Sequence, residues 1–138
     1  MMLSFGSYDA AGDFFGKAIS TEPRHTRSFF HLGLSSYYTG DYFNAIQNFT
    51  QAIQLDSLSF EYYYYNACAL LNVDSADVAI SGWKSAERLD NSSYGTQFNL
   101  GLASIRIGDT ENAKAHLEMA LLLNPQFSSA GRLLAQLK

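Results

Sequence analysis

Ser28–Ser57 reads SFFHLGLSSYYTGDYFNAIQNFTQAIQLDS, and its second half sets the local structure. From Tyr42 to Leu55 the apolar residues Ala45, Ile46, Phe49, Ala52 and Ile53 recur at spacings of three and four. That spacing draws one apolar stripe along a helix. Gly40-Asp41 interrupts the pattern just upstream. Glycine suits a left-handed helix end, and aspartate suits the N-cap of the next helix. The stretch therefore predicts two helices, near 26–39 and 42–55, joined by a tight turn.

Working outward, the same pattern returns every 34 residues. Thr26–Ser59, Phe60–Ser93 and Tyr94–Phe127 align without a gap. Position 8 is small (Gly33, Ala67, Gly101), as are position 20 (Ala45, Ala79, Ala113) and position 27 (Ala52, Ala86, Ala120). Position 24 is large (Phe49, Trp83, Leu117), and position 30 is Leu55, Leu89 and Leu123. Small residues let helices approach closely, and large ones at positions 4, 7, 24 and 30 are expected to fill the gaps. The second block carries Asp74-Ser75 where the others have Gly-Asp, so its left-handed position lacks a glycine. No strand-like alternation occurs. A lone helix pair cannot bury its apolar face, so neighbours must stack.

This predicts an all-α chain forming a single domain over 1–138. Residues 1–25 form an incomplete leading repeat, with a helix near 8–21 carrying Ala11, Phe15, Ala18 and Pro23 in frame. Full repeats follow at 26–59, 60–93 and 94–127, with a capping helix at 128–138. In that last helix Ala130, Leu133, Leu134 and Leu137 should face inward, with Arg132, Gln136 and Lys138 outward. Phe14, Phe15 and Ile19 of the leading helix would leave apolar area uncovered. Either the chain is cut from a longer array, or a second copy covers that face.

Composition removes several function classes. Nine Lys and Arg against thirteen Asp and Glu leave a formal charge of −4, which argues against nucleic acid as the main partner. One cysteine excludes an intrachain disulfide and a Cys-rich metal site. No stretch approaches the ~18 apolar residues of a membrane span. Met1–Gly6 lacks the basic region of a signal peptide. A single cysteine fits a reducing, cytoplasmic setting, and equally a periplasmic one reached through a removed targeting segment.

The residues quoted above resemble the tetratricopeptide repeat family. The likeness rests on Leu32-Gly33, Gly40-Asp41-Tyr42, Ala45, Phe49 and Ala52, and again on Leu100-Gly101, Gly108-Asp109, Ala113, Ala120 and Pro125. The second unit departs from the pattern, with Asn66 where Leu is usual. The resemblance implies a right-handed α-solenoid of antiparallel helix pairs. It also implies a non-catalytic scaffold that holds a protein or peptide partner in a concave groove, without a cofactor. Fold alone does not establish that role.

In the family, the first helix of each pair lines the groove. Carried onto this chain, the lining is Phe30, Leu34, Tyr37 and Tyr38, then Glu61, Tyr64, Cys68, Leu71 and Asn72, then Gly95, Phe98, Leu102, Ile105 and Arg106. Tyr65 and Asn99 stand at its side. One family subtype grips a C-terminal carboxylate with Lys, Asn and Arg. Here those positions hold Phe30, Leu34, Tyr65, Gly95 and Asn99, of which Asn99 alone could serve. The carboxylate clamp is therefore expected to be absent.

The run Tyr62-Tyr63-Tyr64-Tyr65 reaches the same surface by a separate route. At about 100° per residue these rings cover some 300° of a helix, so one or two must face solvent, a groove or an interface. Tyr62 and Tyr63 are expected between helices, and Tyr64 and Tyr65 on the groove. Tyrosine suits such a place, with a large apolar body and a hydroxyl at small entropy cost. An apolar, Tyr-lined groove suits an amphipathic helix or an extended apolar segment.

Other candidates carry less. His25, His31 and His116 have no carboxylate at metal-site spacing. Cys68 lacks an activating partner and reads as a small apolar filler. Gly12 and Gly16 fit tight helix packing. Asn48 and Asn91 begin N-x-S/T triplets, which matter only in a eukaryotic secretory setting. Three roles thus stand open: a partner-binding module, a self-association module using the groove or the N-terminal face, and a regulatory segment of a larger enzyme.

Overall fold

The computed structural model describes residues 26–138. The expected leading helix, with Gly12, Gly16, Phe14, Phe15 and Ile19, lies outside them. Among the described residues there are seven α-helices and no strand: α1 Thr26–Tyr38, α2 Tyr42–Leu55, α3 Phe60–Asn72, α4 Ala76–Leu89, α5 Tyr94–Arg106, α6 Thr110–Leu123 and α7 Ser128–Leu137. Each helix packs on its neighbour in the chain. None is long and apolar enough to cross a membrane.

The small residues act at close range. A Cβ at Gly33 would stand 2.6 Å from the Phe49 ring, and one at Gly101 would stand 2.9 Å from Leu117. Phe49, Trp83 and Leu117 are fully buried, as are the alanines at positions 20 and 27. In the second unit Ala67 keeps its Cβ, and the space comes from the facing helix instead. A Cβ at Gly82 would meet that of Ala67 at 3.2 Å. Position 30 departs from expectation. Leu55, Leu89 and Leu123 are 37–43% exposed, and each is the last residue of its helix.

The turns within pairs are built alike. Gly40 and Gly108 take φ of 88° and 80°, and Asp74 takes φ of 60° at the equivalent place, so aspartate itself adopts the left-handed conformation. The three turns close by the same long-range bond: Asp41 N–H to Ser36 O, Ser75 N–H to Leu70 O, and Asp109 N–H to Ser104 O. Asp41 and Asp109 cap the next helix by accepting from the backbone N–H of Asn44 and Asn112. Ser75 makes no such side-chain bond. Between pairs, Asp56, Asp90 and Asn124 each accept from the N–H two residues on, at 3.0, 2.9 and 3.3 Å. These Asx turns recur at position 31 of every unit.

Candidate partner-binding groove

The helices α1, α3 and α5 are joined by a seam with a constant offset. Phe30 meets Tyr65 with ring centroids 5.9 Å apart. Asn99 Nδ2 donates to Tyr64 Oη at 3.1 Å, and Arg106 donates to the Leu71 carbonyl at 3.1 Å, both across 35 residues. Phe30 to Tyr65 spans the same interval. The offset is one more than the repeat, so position 5 of one unit meets position 6 of the next. It is aromatic between the first two units and polar between the last two.

The expected groove residues are all at least partly open. Tyr38, Glu61, Asn72 and Arg106 are exposed, and Phe30, Leu34, Tyr37, Tyr64, Tyr65, Cys68, Leu71, Phe98, Asn99 and Leu102 are half-buried. The structure brings the aromatic ones of α1 and α3 together. Tyr37 is the hub: Tyr38, Tyr42 and Tyr65 stand around it at 5.3, 5.6 and 6.4 Å, with interplanar angles of 83°, 70° and 75°. Tyr64 lies edge-on to Tyr65 at 5.4 Å. Phe30 and Leu34 pack into the same cluster.

Burial pushes the Tyr37 hydroxyl up to about 12, with Cys68 and the neighbouring tyrosines adding to it. Tyr64 and Tyr65 are raised as well, first by burial; the Asn99 amide pulls Tyr64 back a little. These hydroxyls are therefore neutral donors across the ordinary pH range. Cys68 is likewise driven up to about 12 by burial, with a small opposing effect from the Trp83 indole. Its thiol stays protonated and is a poor nucleophile.

Other expected residues lie apart from the cluster. Phe98 packs on Phe127 at 4.9 Å, beside Leu117, Ala120, Ala130 and Leu134, and so supports α7. Arg106 is held by the Leu71 carbonyl and stands 3.7 Å from Asp74. Asn72 donates to Cys68 O of its own helix at 2.8 Å, and Glu61 accepts from Ser59 Oγ at 3.2 Å. Of the tyrosine run, Tyr62 is buried against Phe30 at 4.8 Å. Tyr63 is half-buried rather than enclosed, and lines a small cleft with Ser57, Ser85, Arg88 and Leu89.

Sequence reasoning missed Tyr42, which closes the hub, and Phe60, which stacks on Tyr64 at 5.6 Å. Both fall at helix starts, where a groove assignment by position does not look. It also missed a polar crosslink at position 4 of the third unit, where the earlier units have Phe29 and Tyr63. There the buried Gln97 amide donates to Glu87, and its oxygen lies 2.9 Å from His116 Nδ1. Burial lowers the His116 pKa, opposed by Glu87. Among the described residues no group of three or more His, Cys, Asp or Glu is placed to hold a metal.

The sequence profile described as tetratricopeptide repeat matches residues 26–57 and 94–127. No curated protein matches the chain. Solved structures do. MamA is 23% identical, with a TM-score of 0.94 over 96% of this chain and 77% of that one. YrrB, described as having an unusual peptide-binding site, is 21% identical, with a TM-score of 0.86 over 91% of this chain and 65% of that one. The first TPR of Spaghetti (RPAP3), solved with the HSP90 peptide SRMEEVD, is 23% identical, with a TM-score of 0.78 over 81% and 89%. The constant stride and the stacked helix pairs agree with the profile match: residues 26–57 and 94–127 are tetratricopeptide repeats, and the described chain has their fold.

Proposed function

We propose that the chain is a protein-interaction scaffold that takes an apolar or amphipathic segment of a partner along the face of α1, α3 and α5. One observation carries this reading. The rings of Phe30, Tyr37, Tyr38, Tyr64 and Tyr65 are gathered on one face and left partly open, while the residues between helix layers close completely. Rigid rings with few rotatable bonds bind without a large ordering cost. Peptide binding by YrrB and by the RPAP3 domain is in keeping with it.

A carboxylate-clamp mode does not suit this surface. Asn99 is the one residue at a clamp position with the right chemistry, and its amide already donates to Tyr64. We assign no catalytic role. Cys68 is held as a thiol, and His116 is bonded to Gln97.

The test is to select binding peptides from a displayed random library and map one by amide chemical shifts. The reading expects perturbations on α1, α3 and α5. Shifts concentrated on α2, α4 and α6 would remove it. Tyr64→Ala should weaken binding at least several-fold with helicity retained. Phe98→Ala is a poorer probe, because Phe98 also holds α7.

A further inference from the structure

The polar seam between α3 and α5 has hydrogen-bonding capacity left over. Position 2 of the first helix holds Arg27 and Glu61 in the first two units and Gly95 in the third. A Cβ on Gly95 would stand 3.1 Å from Tyr64 Oη, so glycine keeps that hydroxyl clear of a side chain. Asn99, one helical turn after Gly95, donates from Nδ2 to Tyr64 Oη at 3.1 Å. That bond uses one lone pair of the hydroxyl and one hydrogen of the amide. The Tyr64 O–H is left to donate and Asn99 Oδ1 is left to accept. Neither enters another hydrogen bond among the described residues. Burial holds the Tyr64 hydroxyl in its protonated form.

Both side chains are half-buried, and Phe60 stacks on the Tyr64 ring at 5.6 Å. An occupant that displaces water here must bring an acceptor for the hydroxyl and a donor for the amide oxygen. Otherwise two polar groups are left unpaired, which costs free energy. A carboxylate fails this test, because it only accepts. A helix fails it too, because its main-chain N–H and C=O groups bond to one another within the helix. An extended segment meets it. Every second residue of such a segment turns its own N–H and C=O to the same side, both unspent.

Resting on the groove reading above, we infer that the Tyr64–Asn99 pair reads the main chain of an extended partner segment. The Tyr64 hydroxyl donates to the carbonyl of one residue, and Asn99 Oδ1 accepts from the N–H of that same residue. The partner's apolar side chains then lie to either side, on Phe60 and on the rings of α1 and α3.

The experiment selects peptides on the intact chain from a displayed random library. It then remakes the best peptide with its main-chain amides replaced one at a time by esters, which deletes an N–H and keeps every side chain. One ester should weaken binding about 5- to 30-fold. Tyr64→Phe, which keeps the ring, and Asn99→Leu should each weaken the parent peptide and shrink the penalty of that ester. A peptide bound as a helix, seen in its amide-to-amide NOE pattern, overturns the inference and leaves the groove reading intact. Ester penalties that are absent, or unchanged in both variants, do the same. A penalty that follows an Asn or Gln side chain of the peptide overturns the assignment to the main chain. No enrichment over an unrelated bait removes both readings.

Discussion

At the scale of single residues, glycine has two opposite meanings here. Gly33 faces Phe49, where a Cβ would sit 2.6 Å from ring carbons of a fully buried side chain. Gly131, on α7, has nothing within 4 Å of the same construction. Alanine gains roughly 1 kcal/mol over glycine in a helix interior. At Gly33 overpacking outweighs that gain, so Gly33→Ala should destabilise by about 1–3 kcal/mol. Gly131→Ala should stabilise by about 0.5–1 kcal/mol. Urea unfolding of the two variants gives the comparison, and equal signs would show that the pair does not pack as described.

Asn66 supplies a second residue-scale expectation. It stands where the repeat favours leucine, and its Oδ1 is buried with no hydrogen-bond partner. An unmade bond of that kind costs about 1–3 kcal/mol. Asn66→Leu should therefore raise the unfolding midpoint. The misfit was legible in the sequence, because the period of 34 assigns position 7 to an apolar residue. Gln97 was not legible as a crosslink. The same period gives its position to a large side chain, and only the approach of Glu87 and His116 from α4 and α6 shows why glutamine is tolerated.

At the scale of elements, the α3–α4 turn is the weakest of its kind. Its left-handed residue is Asp74, for which φ of 60° costs about 1–2 kcal/mol that glycine does not bear. Ser75 also makes no cap bond, whereas Asp41 and Asp109 do. The lost 3.7 Å ion pair with Arg106 is exposed and worth little. Asp74→Gly with Ser75→Asp should gain about 1–2 kcal/mol, less than two separate effects would sum to, since the sites are adjacent. A calorimetric midpoint that fails to rise would contradict the turn's geometry.

The caps also predict a response to acid. Bonds from the Asn112 side chain and backbone hold the Asp109 carboxyl below its usual pKa. A lowered folded-state pKa means stability that is full above the unfolded value, near 4, and lost as pH falls through the folded one. The Asn112 amide shift should follow that titration, and in Asp109→Asn it should be flat. Helix boundaries were readable because caps, glycines and apolar stripes agree at each end. The position 30 leucines were misread because periodicity reports a residue's phase around a helix and says nothing of how much covers its last residue. The ring cluster was readable only in part: Tyr38 and Tyr65 follow from position, but Tyr42 and Phe60 approach from helix starts.

For the whole molecule, each helix touches its neighbours in the chain and little else, so stability should be nearly a sum of local terms. Ala130 and Leu134 of α7 bury themselves against Leu117 and Ala120. Leu134→Ala removes about 2–4 kcal/mol of packing at that end. In a globular core that loss would spread through the domain. Here it should lower amide protection on α6 and α7 first, with α5 next through Phe98, and leave α1–α3 close to the parent chain. Hydrogen exchange by residue reads this directly, and a peptide bound over Tyr38 and Tyr65 should keep its affinity. A uniform loss of protection would mean that the units unfold as one body. The ring cluster would then depend on α7, and that part of the proposed groove could not be treated as a site built by α1 and α3 alone.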